Sequence, residues 1–204
     1  FGMGDMGPEA MRWLDFLAQA GCSLWQVLPL GPTGYGDSPY QCFSAFAGNP
    51  YLISPQSLLD EGLLHSDDLV DIPTFPTDRI DFGRVISWKL KVLDRACVHF
   101  QQTARIPIRE ALNSFRTANS AWLEDFALFM ALKEIHDGAA WFTWEADLRD
   151  RDETALKNAR TKLKEAIDRQ IFRQFLFFRQ WEAVRAAAQS KGIQIIGDIP
   201  IFVA

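Results

Sequence analysis

Apolar positions recur at helical spacing just before two short apolar runs, and this pairing organises the chain. Met11, Leu14 and Ala18, with Leu17 alongside, form one stripe behind Pro8 and Glu9. A proline in a first helical turn forfeits no hydrogen bond, and a negative charge there suits the helix dipole, so a helix starts at Pro8. Gly21 follows as a C-terminal capping glycine. The next run, SLWQVLPL (23–30), is nearly continuous in its apolar character and stops at Gly31 and Pro32, as a parallel strand buried on both faces would. The same order returns near the end. From about Asp168 to Lys191, Phe172, Leu176, Val184 and Ala188 share a stripe widened by Phe175 and Trp181, Gly192 caps it, and IQIIGDIPIFV (193–203) follows as a second apolar strand. Helix, glycine, buried strand, twice over, predicts an α/β fold with parallel strands.

The stretch between these units has another character. Residues 31 to about 84 are rich in Gly, Pro, Ser and Asp and predict loop with short pieces of structure. SWKLKVLDRACVHF (87–100) places Leu90, Leu93, Cys97 and Phe100 on one helical face. NSAWLEDFALFMALKEIH (119–136) and DETALKNARTKLKEAIDRQ (152–170) each predict a helix, the second with Asp152 as its N-cap. One helix and short loops suffice to connect adjacent parallel strands, so this middle section is a largely helical insertion after the first visible strand. The division is therefore 1–30, 31–167 and 168–204.

Composition narrows the partner. With 204 residues, 48% of them hydrophobic, no apolar run reaches the ~20 residues a membrane span needs. A net charge of −5 argues against nucleic acid, which is held by clustered Lys and Arg, and favours an uncharged or cationic ligand. Three widely spaced cysteines (Cys22, Cys42, Cys97) and three isolated histidines (His65, His99, His136) fit no metal pattern and suggest reduced, buried thiols in an intracellular protein. The 16 Phe, 7 Trp and 3 Tyr are mostly core, with some left over as platforms for a ligand with apolar faces.

Ligands of α/β barrels and open sheets bind beyond the carboxyl ends of the strands. Two segments qualify: GPTGYGDSPYQ (31–41) and GDIPIFV (197–203). In the first, three glycines permit unusual backbone angles and two prolines brace them, so Tyr35, Asp37, Ser38 and Tyr40 can be held in fixed places; the other reading is a tight turn with its tyrosines packed inward. In the second, Asp198 ends an apolar strand, where an acid needs a partner and either organises chemistry or makes a structural ion pair. No phosphate loop is present: there is no GxxxxGK[ST], and GMGDMG (2–7) has no strand before it. Glu124 and Asp125 read as solvated or capping charges, and Trp122, Trp141 and Trp144 as core.

Three stretches then carry a resemblance. LWQVLPLGPTGYGDSPYQCFSAFAGNPYL, WLEDFALFMALK and QFLFFRQWEAVRAAAQSKGIQIIGDIPIFVA resemble, in order, the 4-α-glucanotransferases (amylomaltases or disproportionating enzymes, glycoside hydrolase family 77). The likeness runs over essentially all 204 residues. It implies part of a (β/α)8 barrel of the α-amylase clan, with the insertion after barrel strand two, and SLWQVLPL and IQIIGDIPIFV as strands two and three. The implied chemistry is transfer of a segment of an α-1,4-glucan or maltooligosaccharide to the 4-hydroxyl of glucose or another glucan, by a retaining double displacement. Ser38 and Tyr40 then line the donor sugar site, Asp198 helps arrange the catalytic cluster, and Tyr35 is a platform for a longer glucan. The family's nucleophilic Asp, acid/base Glu and third Asp have no matching motif here, so no catalytic residue is assigned. The implied reading is the first two-fifths of such an enzyme, inactive alone. No cofactor or metal is implied, and the implied location is cytoplasmic. Cys42 stands where Ser is usual and Phe82 where Tyr is common. Two alternatives remain: an α-amylase-type hydrolase, whose products would only shorten, and a non-catalytic glucan-binding module.

Overall fold

The computed structural model describes residues 1–203 and, at Tyr35, the backbone without the side chain. Helix α1 (Pro8–Gln19) starts with Pro8 in its first turn, buries Leu14 and Leu17, and ends before Gly21 at φ +74°, the left-handed position that glycine adopts without strain. Strand β1 (Leu24–Gln26) follows. Far along the chain, helix α8 (Lys164–Ser190) ends before Gly192 at φ +71° and leads into β3 (Gln194–Ile196). The two strands pair in parallel, Leu24 opposite Gln194 and Gln26 opposite Ile196. A second parallel pair joins β2 (Gln41–Cys42) to β4 (Phe202–Val203).

Several expectations change. The strands were expected to be buried on both faces, yet Leu24 is 53% and Ile196 45% exposed. Trp25 and Ile195 pack one face of the β1–β3 pair on the helices, while Leu24 and Ile196, on the other face, meet no cover among the described residues. Between β2 and α8 lie α2 (Pro55–Asp60), α3 (Phe82–Thr103), α4 (Ile106–Ala118), α5 (Leu123–Ile135), α6 (Ala146–Arg149) and α7 (Glu153–Lys162). The single helix expected over 152–170 is two: Asp152 does cap α7, accepting from Ala155 N at 2.9 Å, but the chain bends at Leu163 (φ −102°, ψ 17°) before α8 begins. Helix α4 escaped sequence reading altogether.

On α3 the buried face runs through Val85, Trp88, Lys89, Val92, Leu93, Ala96, Cys97 and Phe100, while Leu90 sits at its margin. The lysine on this face is fully buried. Two apolar clusters result. The larger joins α1, α3 and α8, with Leu14, Val92, Phe172 and Leu176 at its centre. The smaller joins α5, α7 and the start of α8 through Leu123, Leu128, Leu132, Leu156 and Ile171. The cysteines are unpaired as expected, but Cys22 is exposed rather than buried. The histidines are not all isolated either: the rings of His65 and His99 meet edge to face at 4.6 Å. No helix among the described residues is long and apolar enough to cross a membrane.

Candidate functional site

Because β1 and β3 run side by side in the same direction, the loops that leave their carboxyl ends emerge together. The loop after β1 folds back on itself. Gly34 N donates to Gln41 O at 2.8 Å and Phe43 N to Pro32 O at 3.1 Å, and the tip turns through Gly36 (φ +69°) and Asp37 (φ +55°). Ser38 Oγ accepts from Tyr40 N at 3.3 Å, which pins the turn just before the tyrosine.

The segment after β3 then clasps Tyr40. Its carbonyl accepts from both Ile201 N and Phe202 N, each at 3.0 Å, and its hydroxyl donates to Asp198 Oδ2 at 2.9 Å. The other carboxylate oxygen of Asp198 accepts from Ile199 N at 2.8 Å. Donating to a carboxylate raises the Tyr40 pKa above its ordinary value, since the phenolate would lose that bond and face a negative charge. Asp198 is exposed rather than buried in a strand, so hydration and two hydrogen bonds meet the demand for a partner. The pair presents an aromatic ring beside a carboxylate with unused lone pairs. Such a surface suits a neutral ligand carrying hydroxyls on an otherwise apolar ring. A cavity of about 180 Å³ adjoins it, lined by Gly31, Ser44, Phe46, Trp181, Asp198 and Pro200 among others.

What holds this loop comes from outside it. Gln174 on α8 is 1% exposed and grips Gly48 at both ends, its Oε1 accepting from Gly48 N at 2.7 Å and its Nε2 donating to Gly48 O at 2.9 Å. Gln180, two turns on, does the same to Ser54 at 2.7 and 3.2 Å. Gly48 packs so closely on Phe177 that a Cβ there would overlap the ring. Lys89 Nζ donates to Tyr51 O at 2.8 Å and lies 3.5 Å from Asp5 Oδ2, tying α3 to this segment and to the chain start. Burial lowers its pKa to about 8, against the attraction of Asp5. The helices reach the loop as well: Phe43 meets Phe129 at 6.2 Å, Phe46 stacks on Trp122 at 6.3 Å, and Lys133 Nζ sits 4.9 Å from the centre of the Phe43 ring.

Of the four residues expected to bind ligand, Tyr40 and Asp198 are brought into contact, and Ser38 supports the turn beside them. The side chain of Tyr35, expected as an outer platform, lies outside the described residues. Sequence reasoning missed Gln174, Gln180 and Lys89. The one available signal was polar residues at core positions of otherwise apolar helical faces. Of the tryptophans expected in the core, Trp144 is buried, Trp122 partly so, and Trp141 is 43% exposed.

The sequence profile of the family described as 4-alpha-glucanotransferase matches residues 1–204. A protein named 4-alpha-glucanotransferase from Thermus thermophilus is 51% identical over 204 residues, covering 100% of this chain and 40% of that protein. One of the same name from Synechocystis sp. is 46% identical, again over 100% of this chain and 40% of the relative. Among solved structures, amylomaltase from Streptococcus agalactiae in complex with acarbose superposes with a TM-score of 0.92 at 37% identity, over 100% of this chain and 41% of that one. Amylomaltase from Corynebacterium glutamicum, at 22% identity and a TM-score of 0.75 over 99% of this chain and 28% of that one, shares the fold. The chain thus spans about two-fifths of the length of its curated relatives.

Proposed function

Since the chain belongs to the 4-α-glucanotransferase family, we propose that it builds the donor-sugar side of an enzyme that moves segments of α-1,4-glucans onto the 4-hydroxyl of glucose or another glucan. The observation that carries this reading is the Tyr40–Asp198 hydrogen bond, made between residues 158 apart in sequence, in the segments that follow two adjacent parallel strands. In this reading β1 and β3 are strands two and three of a (β/α)8 barrel. Residues 1–30 and 168–204 are barrel, and 31–167 are an inserted subdomain. Tyr40 offers its ring to the sugar face, Asp198 fixes both the phenol and a sugar hydroxyl, and Ser38 keeps the turn closed. Tyr35 serves a more distant sugar. That the related amylomaltase was solved in complex with acarbose supports a saccharide as the class of ligand.

The reaction is a retaining double displacement, which needs a nucleophilic carboxylate and an acid/base carboxyl ~5–5.5 Å apart. No residue of this chain is assigned to either role, so the chain alone should transfer nothing. The free thiols, one of them exposed, support a reducing cytoplasmic setting. The test uses maltotriose. The 204-residue chain should leave it intact, whereas the chain fused to the remaining three-fifths of the Thermus thermophilus relative should yield glucose together with oligomers longer than three units. Products that only shorten would make the enzyme a hydrolase and overturn the transfer reading. In the fusion, Tyr40→Phe should weaken donor use. An unaffected variant would remove Tyr40 from the site.

A further inference from the structure

The helical insertion holds a cavity that shares no residue with the Tyr40–Asp198 cluster. It measures about 290 Å³, near the lower end of ligand pockets, and lies among α5, the turn Trp141–Thr143, α6 and α7. Its walls are apolar and aromatic. Trp144 forms one wall and is fixed from two sides, with His136 stacked on it at 5.0 Å and 18° and Phe129 at 5.6 Å. Trp141 stands at the lip with 43% of its surface in water, next to Phe142 at 62%. Bare indole of this kind at the edge of a concavity is costly in water and available for stacking.

The polar rim is organised before any ligand arrives. Asp125 is held at both oxygens, by Arg151 at 3.0 Å and Arg160 at 2.7 Å, and Arg149 makes two bonds to Asp150, at 2.8 and 3.0 Å. Arg151 takes a left-handed backbone angle, φ +62°, uncommon for a residue with a Cβ, in placing its guanidinium on Asp125. These charges largely cancel one another, so the rim attracts neither anion nor cation strongly. It still offers fixed N–H donors and carboxylate acceptors to a neutral molecule. Apolar walls with an exposed indole, below a rim of paired donors and acceptors, match a pyranose ring, which has apolar faces and hydroxyls around its edge.

We propose that this cavity binds one end of an α-1,4-glucan, with Trp141 as the stacking platform and Asp125, Arg149 and Arg151 bonding its hydroxyls. The choice of glucan over other neutral polyols rests on the function proposed above. The binding of a second stretch of the same polymer would raise the local concentration of donor chain ends around the protein.

The test titrates maltose and then maltotriose into the ¹⁵N-labelled 204-residue chain while following the indole N–H resonances of its 7 tryptophans. Trp141 and Trp144 should shift in a saturable way, and Tyr40→Ala should leave that response unchanged. Trp141→Ala should weaken the Trp144 response about tenfold, and Trp141→Phe, which keeps a ring, should recover much of it. Because Trp141 is half exposed, neither change removes core packing, and an unaltered spectrum elsewhere confirms the fold. If the sugars move only resonances around Tyr40 and Asp198, and Tyr40→Ala abolishes those shifts, the cavity is not a glucan site and the proposed function stands. If no resonance moves with either sugar, both readings fall.

Discussion

Replacing Gln174 with leucine isolates how much the loop above the strands depends on α8. The volume is nearly kept, but both hydrogen bonds to Gly48, at 2.7 and 2.9 Å, are lost. Gly48 is itself buried, so its N–H and C=O are left without partners in a site closed to water. Each orphaned group costs about 1–3 kcal/mol, and the extra apolar surface of leucine offsets part of that, leaving a net loss of about 3 kcal/mol. For a chain of this size that corresponds to ~6–12 °C in Tm. Urea unfolding monitored by tryptophan fluorescence gives the stability change, and amide exchange at Gly48 reports the local effect. Gln19→Leu, on an exposed helical position, is the control and should change stability by less than ~0.5 kcal/mol. A loss below about 1 kcal/mol for Gln174→Leu, with Gly48 still protected from exchange, would refute the idea that this glutamine holds the loop.

Three further outcomes follow from the same geometry. Gly48→Ala should cost about 3 kcal/mol by urea unfolding, because its Cβ would overlap the Phe177 ring inside the larger apolar cluster; a neutral result would mean the ring moves freely. Lys89 has a folded pKa of about 8, below its unfolded value of 10.5, so the unfolded chain binds more protons between those limits and stability rises with pH there. The gain should be about 1 kcal/mol between pH 8 and 9, and Lys89→Met should flatten it; an equal slope in the variant would refute the assignment. His136 has a raised pKa because Nδ1 faces Leu132 O at 2.7 Å and Nε2 faces Glu145 Oε2 at 2.8 Å. Its stabilisation is present below pH 6.5 and lost as pH rises through the folded value, so the thermal unfolding midpoint should fall across that range in the native chain more than in His136→Gln.

Sequence alone determined the elements whose signals are contiguous. Pro8, Gly21 and Gly192 punctuate helices because each acts through its own backbone angle, and the stripe Phe172–Leu176–Val184–Ala188 is legible because one helix presents it. The GDSPYQ loop was recognisable for the same reason, and motifs spread through all 204 residues carried the family. Other features were decided only when distant segments met. Periodicity assigns polar residues to solvent, so it cannot foresee that Gln174, Gln180 and Lys89 are buried by backbone groups far away in sequence that need their hydrogen bonds. Nor can it show which strands receive neighbours, which is why Leu24 and Ile196 looked buried and are not. The pairing of Tyr40 with Asp198, and the enclosure of a cavity by Asp125, Trp141 and Arg149, depend on how the chain returns to itself. That return is a property of the packed whole, because each contact is worth little until the others have fixed both partners in place.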